Sequence, residues 1–363
     1  MSETIVIVGA GQAGLQTAIS LRQGGFDGRV ILLGDERHLP YQRPPLSKQV
    51  LKGEFEPERC TLRGEEFLAK QGIDFRPGIR ATGLDRRRRI VQLEQDQVID
   101  YDQLVIATGA RLNRIELSGS RLAGVHYLRT IDDALALRDE LQDGGRLVVA
   151  GGGYIGLEVA ASGRVLGCEV AVVEAQPHIM QRSALAPIAD RLLDRHRQEG
   201  VELHLGRLLT EIHGVSRVRA VSLDDGTLIE CNLVLKGLGV QPDVRWLEGS
   251  GIEVNRGVRV DARCRTNDPN VFAAGDCAET RHPLYAEPVV LESVQNAVSQ
   301  GKLCAAGILG QDARYEDVPC FWSEQYDVRL QMAVMPQADD TLVLRDDDPK
   351  SMTVLSIGED RLN

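Results

Sequence analysis

The apolar positions repeat one pattern twice along the chain. Residues 4–8 (TIVIV) are an unbroken, β-branched apolar run, which predicts a strand buried on both faces. The turn Gly9-x-Gly11-x-x-Gly14 follows at once. Residues 13–23 then carry Leu15, Ala18, Ile19 and Leu21 at helical spacing, and Gly24-Gly25 stops that helix. Residues 29–33 read as a second strand ending at Gly34-Asp35-Glu36. The order returns mid-chain: strand 146–150 (RLVVA), turn Gly151-Gly152-Gly153-x-x-Gly156, helix 154–166, strand 169–173, then Glu174. Residues 104–109 (LVIATG) predict a strand ending in a small-residue turn. Residues 266–276 (TNDPNVFAAGD) predict a proline-containing lead, a strand and then Gly275-Asp276, and 351–363 read as a strand and turn.

Each repeat has the parts of a dinucleotide-binding turn. Gly9 permits the tight turn, Gly11 lets a diphosphate reach the backbone, and Gly14 allows close packing of helix on strand. The helix N-terminus then offers free N–H groups and a positive dipole end. An acid about 20 residues on accepts from a ribose hydroxyl. Asp35 or Glu36 fills that role in the first repeat and Glu174 in the second. A carboxylate there repels a 2′-phosphate and favours NADH over NADPH; His178 and Arg182 nearby temper that preference. Asp276 suits either a flavin's ribityl hydroxyl or the N-cap of the next helix.

Composition narrows the class. The 363 residues predict two or three domains, and 43% hydrophobic with 26% charged residues is ordinary for a globular chain. The 37 glycines exceed the average usage of ~7% and gather beside the apolar runs. A net charge of −11 argues against nucleic acid as a partner. No run approaches the ~18 apolar residues of a membrane span, and the start Met-Ser-Glu-Thr has no basic n-region, so neither a membrane anchor nor a signal peptide is expected. The seven cysteines are scattered without C-x-x-C spacing; a disulfide framework and a metal site are not expected, and the cytoplasm is the predicted compartment.

The order GAGQAG, ATG, GGGYIG and T-x-x-P-x-V-F-A-x-G-D resembles the two-dinucleotide-domain flavoprotein reductases of the glutathione-reductase superfamily. Within it, YQRPPLSK (41–48), HYLRT (126–130), LESVQNA (291–297) and FWSEQYD (321–327) resemble the NADH-dependent ferredoxin reductases of the putidaredoxin-reductase and dioxygenase-system type. The resemblance runs from residue 4 to about 357. It implies an α/β fold with two Rossmann-like three-layer domains, the NAD domain inserted in the FAD domain, plus a small α+β C-terminal interface domain. The boundaries are 1–112 with 244–320 for FAD, 113–243 for NADH and 321–363 for the interface domain. That last domain is shorter than the resemblance implies. The chain is therefore expected to be a fragment, a natural truncation or a variant with a minimal interface domain, which bears on docking and flavin shielding.

The resemblance implies tightly, non-covalently bound FAD and diffusible NADH. Carried over by motif, FAD falls to Gly9, Gly11, Ala13, Gly14, Asp35, Arg43, Lys48, Ala81, Ala107, Gly109, Arg129, Asp276 and Val294, with Asp35 preferred to Glu36. NADH falls to Gly151, Gly153, Ile155, Gly156, Glu158, Glu174, Arg182 and Gly237. Lys48, the lysine of the proline-rich loop, and Glu158, one turn into the second helix, are expected to pair beside the flavin as catalytic groups. The helix beginning near Ser293 is expected to aim its N-terminus at charge on the reduced flavin.

No cysteine stands between residues 36 and 59, where a thiol acceptor is expected in related flavoenzymes, so electrons are expected to leave singly for an iron–sulfur carrier. Trp322 resembles a tryptophan near the flavin and is expected either to line the exit path or to pack in the core. The implied partner is a two-iron two-sulfur ferredoxin of a P450 or ring-hydroxylating dioxygenase, docking through Arg63. Rubredoxin reductase and NADH oxidase are the alternatives, and a non-catalytic FAD-binding protein resembling apoptosis-inducing factor is a third. Residues 86–89, four arginines, read as a solvated hairpin edge, and Lys236 is an oddity in a strand that normally reads apolar before its glycine.

Overall fold

The computed structural model describes residues 3–363 except 182, 286, 334–340, 349–350, 359–360 and 363. The chain divides into two compact units, each built from separated segments. The first comprises Met1–Gln42, Cys60–Arg111 and Val240–Cys320, and the second Arg43–Arg59, Leu112–Gly239 and Phe321–Asn363.

The first unit is organised by a five-stranded parallel sheet in the order Val271–Ala273, Gln103–Ile106, Thr4–Val8, Arg29–Leu33, Ile73–Arg76. Successive side chains of a strand point to opposite faces, and here both faces are covered. Ile5 and Ile7 pack with helices Gln12–Gln23 and Val294–Ile308, whereas Val6 and Val8 pack with Leu84, Val91, Trp246 and Leu247. Each such buried aliphatic stabilises the fold by roughly 1.5–3 kcal/mol, which is why the run has no polar interruption. The two helices approach closely at Gly301, where a Cβ would lie 2.6 Å from the Ala13 carbonyl oxygen. Residues 86–89 form the turn of the hairpin Ala81–Asp85/Ile90–Leu93. Asp85 accepts from the backbone N–H of Arg87 (3.1 Å) and Arg88 (3.0 Å), and the side chains of Arg87, Arg88 and Arg89 are exposed.

The second unit repeats the plan: Glu202–Leu205, Glu169–Glu174, Arg146–Ala150, Leu233–Lys236 and Val125–His126, all parallel. Helix Ile131–Gln142 begins with a capping box between Thr130 and Asp133. An antiparallel sheet of Leu209–Gly214, Val218–Leu223 and Leu228–Glu230 closes one face through Val148, Val173, Val221 and Ile229. Lys236 occupies an apolar register position yet is 1% exposed. Its ammonium donates to the Ile115 carbonyl and to Ser120 Oγ (3.0 Å) and lies 5.2 Å from the Tyr127 ring centroid, so the buried charge is shared among acceptors and a π face.

From residue 320 onward the described elements are strands: the hairpin Cys320–Gln325/Val328–Ala333, then Thr341–Asp348, Ser351–Gly358 and Arg361–Leu362. Among the described residues no helix is long and apolar enough to cross a membrane.

Candidate functional site

The first glycine turn leaves Thr4–Val8 with Gly9 at φ +112°. A Cβ on Gly9 would lie 2.1 Å from the Ala107 carbonyl oxygen, and one on Gly14 would lie 1.9 Å from the Gly9 carbonyl oxygen. At Gly11, by contrast, a Cβ would meet nothing within 4 Å. Gly11 is the N-cap of Gln12–Gln23 and supplies no side-chain acceptor, so no side chain caps the first-turn N–H groups. That cradle fits a diphosphate.

Beside it lies a cavity of about 370 Å³ lined by Gly9, Asp35, Arg80, Ala81, Thr108 and Trp246, together with Arg111 and Asp243. The structure separates the two acidic candidates. Asp35 lines this cavity, whereas Glu36 accepts from Tyr41 Oη at 2.5 Å. Ala107 donates its N–H to Val8, and Gly109, at φ +65°, accepts from the Asp243 N–H. Ala13 packs at Gly275, where a Cβ would come 3.1 Å from the Ala13 Cβ. Asp276 is half-buried inside the short 3₁₀ turn Gly275–Cys277. The following long helix is capped instead by Ser293, whose Oγ accepts from Asn296 N (3.2 Å), with Val294 as its first residue. The N-cap alternative for Asp276 is thereby overturned.

The second turn has the same geometry. Gly151 stands at φ +115°; a Cβ there would lie 2.3 Å from the Gly237 carbonyl oxygen, and one on Gly156 would lie 2.1 Å from the Gly151 carbonyl oxygen. Gly153, the N-cap of Tyr154–Val165, again faces open space, with Ile155 half-buried in the first turn of the helix. Glu174 is folded against this turn. It accepts from Gly152 N (2.6 Å) and Gln176 N (2.8 Å), which fixes the carboxylate at the lip of the cradle. His178 is exposed, and Arg182 lies outside the described residues.

Four residues up the same helix, Glu158 is buried and ion-paired with Lys48, Nζ to Oε1 at 3.1 Å. Ser47 donates to Glu158 Oε2 and Ser323 to Oε1 (2.8 Å), while Ser162 Oγ donates to the Ser47 carbonyl (2.8 Å). Lys48 and Ser47 belong to a single π-helical turn, Leu46–Val50, set by the preceding Pro44-Pro45. Nearby, Arg43 donates to the Arg129 carbonyl at 2.6 Å, and Arg129 N donates to Asp133 at 3.0 Å.

The strand Cys320–Gln325 alternates: Ser323 and Gln325 are buried and Trp322 is 38% exposed, which removes core packing as the role of the tryptophan. Arg63 is exposed, its guanidinium 5.2 Å from the Phe67 ring centroid. All seven cysteines are free thiols, and only Cys320 is exposed.

Ser47, Ser323, Arg111, Asp243 and Trp246 escaped the sequence reading. The period-2 alternation of FWSEQYD carries the signal for Ser323, and adjacency to Lys48 that for Ser47. Asp243 and Arg111 meet across more than 130 residues of sequence and leave no local trace.

Comparison with known proteins agrees with this architecture. Residues 3–301 match the model of the pyridine nucleotide-disulphide oxidoreductase family, and residues 320–363 match the reductase C-terminal model. A probable ferredoxin reductase, CtmF, of Castellaniella defragrans is 42% identical over 348 residues, covering 95% of this chain and 85% of the relative. The crystal structure of the ferredoxin reductase for the CYP199A2 system of Rhodopseudomonas palustris is 40% identical, with a TM-score of 0.94 over 98% of this chain and 88% of that one. The covalent putidaredoxin reductase–putidaredoxin complex is 34% identical, with a TM-score of 0.96 over 99% and 88%. The chain belongs to the pyridine nucleotide-disulphide oxidoreductases, within the ferredoxin reductases of that family, enzymes that use FAD and NAD(H).

Proposed function

We propose that this protein takes a hydride from NADH onto bound FAD and delivers single electrons to a two-iron two-sulfur ferredoxin serving a P450 or ring-hydroxylating oxygenase, in the cytoplasm. The observation that carries the reading is the pair of open glycine cradles on two separate parallel sheets, one for each dinucleotide. Bound FAD supplies the step from a two-electron donor to a one-electron acceptor; everything else falls to the chain.

In this reading residues 1–112 and 244–320 hold FAD. Gly11 and the N–H groups after it bind the diphosphate, Asp35 holds a ribose, and Ala81 lies along the nucleoside. Ala13, Asp276 and Val294 line the remainder, with Arg43, Arg129, Ala107 and Gly109 as further contacts. Residues 113–243 hold NADH through Gly153, Ile155 and Gly237, with Glu174 on a ribose diol; Arg182 is assigned to NADH by motif alone. The fixed Glu174 carboxylate repels a 2′-phosphate, and NADH is preferred over NADPH on that ground. The buried Lys48–Glu158 pair is assigned to the hydride step, with Glu158 holding the lysine in place. Trp322 and Arg63, both exposed, serve the electron acceptor.

The test is reduction of a purified two-iron two-sulfur ferredoxin by NADH and catalytic amounts of this protein, followed by bleaching of the ferredoxin's visible absorption. NADH-dependent bleaching that needs the protein supports the reading. Consumption of NADH with oxygen as the sole acceptor would replace it with an NADH oxidase.

A further inference from the structure

Glu158 is the end of a buried chain of hydrogen bonds that runs well beyond the pair it forms with Lys48. Ser323 Oγ donates to Glu158 Oε1 at 2.8 Å, and Gln325 Nε2 donates to Ser323 Oγ at 3.0 Å. Gln325 Oε1 lies 2.8 Å from His196 Nε2, and Tyr326 Oη lies 3.1 Å from His196 Nδ1. Ser323, Gln325 and His196 are each no more than 1% exposed. The chain joins three elements: helix Tyr154–Val165, strand Cys320–Gln325 and helix Ala186–Gln198.

Chemistry fixes its direction. A carboxylate only accepts, so Ser323 spends its one proton on Glu158 and must accept from Gln325. The Gln325 oxygen then faces His196, which donates from Nε2 and accepts at Nδ1, and Tyr326 donates there. Every proton points toward Glu158. Burial lowers the pKa of His196, which keeps the ring neutral, and burial pushes the Tyr326 phenol up, which keeps its proton. Tyr326 itself sits at φ +55°, a backbone cost that a non-glycine residue bears only where surroundings hold it. Its hydroxyl contact with His196 and the Arg195 guanidinium 5.1 Å from its ring centroid supply that hold.

We infer that Ser323, Gln325 and His196 are positioning residues for the Lys48–Glu158 pair, so that the C-terminal strand sets the place of Glu158 Oε1. The inference rests on the proposed function only in assigning the pair to hydride transfer. Donors aligned head to tail polarise one another, so the effect of a break decays with distance from the carboxylate.

The test uses the purified flavoprotein and the variants Ser323→Ala, Ser323→Thr, Gln325→Met and Tyr326→Phe. The first readout is the infrared carboxylate band of Glu158 in the oxidised protein without NADH, identified as the band lost in Glu158→Gln. The second is the single-turnover rate of flavin reduction against NADH concentration. The band should shift most in Ser323→Ala, less in Gln325→Met, least in Tyr326→Phe, and return in Ser323→Thr. The limiting rate should fall about tenfold in Ser323→Ala with NADH affinity unchanged, as expected for one lost hydrogen bond to a charged group. An unmoved band in Ser323→Ala overturns the inference, as does a shift that Ser323→Thr fails to restore or equal shifts in all three variants. Should Ser323→Ala fail to fold, the order of Gln325→Met and Tyr326→Phe decides. A protein whose flavin NADH never reduces refutes the proposed function, while the band still reports on the chain.

Discussion

The two glycine turns share a sequence pattern and a backbone, yet they differ at the acid that follows. In the first, Asp35 lines a cavity of about 370 Å³. In the second, Glu174 is bound back onto Gly152 N and Gln176 N at the lip of the cradle. Neighbouring chemistry differs too, since the helix after the second turn carries Glu158, which pairs with the buried Lys48 of the turn Leu46–Val50. The fingerprint therefore specifies a diphosphate seat in both places. What surrounds the seat differs: an open cavity beside Asp35 in one, a carboxylate held by two backbone N–H groups in the other.

The sharpest way to break this comparison is to give each turn a methyl group it has no room for. Gly14→Ala places a Cβ 1.9 Å from the Gly9 carbonyl oxygen and Gly156→Ala one 2.1 Å from the Gly151 carbonyl oxygen. The first should yield protein without bound flavin. The second should stay yellow and lose reduction by NADH about 10²-fold, the scale of a 1 Å misplacement. Visible spectra and stopped-flow reduction separate the two, and matching losses in both variants would erase the distinction between the seats.

Next in size is the buried pair. Lys48→Met leaves the Glu158 carboxylate buried without its cation, which should cost about 3–5 kcal/mol of stability and show as a lowered midpoint in urea. A variant of unchanged midpoint would mean that Glu158 does not need the lysine.

A smaller effect tests Glu174. Glu174→Ser removes the carboxylate at the lip and should cut the kcat/KM preference for NADH over NADPH about tenfold, or ~1.4 kcal/mol. An unaltered ratio would move selectivity elsewhere in the second unit.

The smallest effect is on pH. Burial lowers the folded-state pKa of His196 below its ordinary value of 6.5, so between the two values the unfolded chain binds more protons. Stability should be fully present above pH 6.5 and fall as pH drops through that window. Thermal midpoints against pH should show a shallower fall in His196→Gln; an identical slope would remove His196 as the cause.

Much of this was legible in the sequence because it is local. The strands Thr4–Val8, Arg29–Leu33 and Arg146–Ala150 are apolar on both faces, and their glycines sit at fixed offsets from the strand ends. The rest depends on contacts between distant segments. Lys236 looked out of place because its acceptors, Ile115 and Ser120, come from a loop more than 115 residues earlier. Asp276 is compatible by type with a helix cap, and the structure gives the cap of the following long helix to Ser293, near which the resemblance already places its start. Trp322 is legible only through the family resemblance of FWSEQYD, whereas the alternation of the strand points Ser323, its small neighbour, at Glu158.

The central claim is that both seats work together, and an anaerobic titration of the purified protein with NADH, followed by visible absorption, tests it most directly. Flavin absorption should bleach at about one NADH per flavin, the stoichiometry of one hydride for one two-electron acceptor. A bound flavin that stays oxidised under excess NADH, or a protein that holds no flavin, would contradict the account.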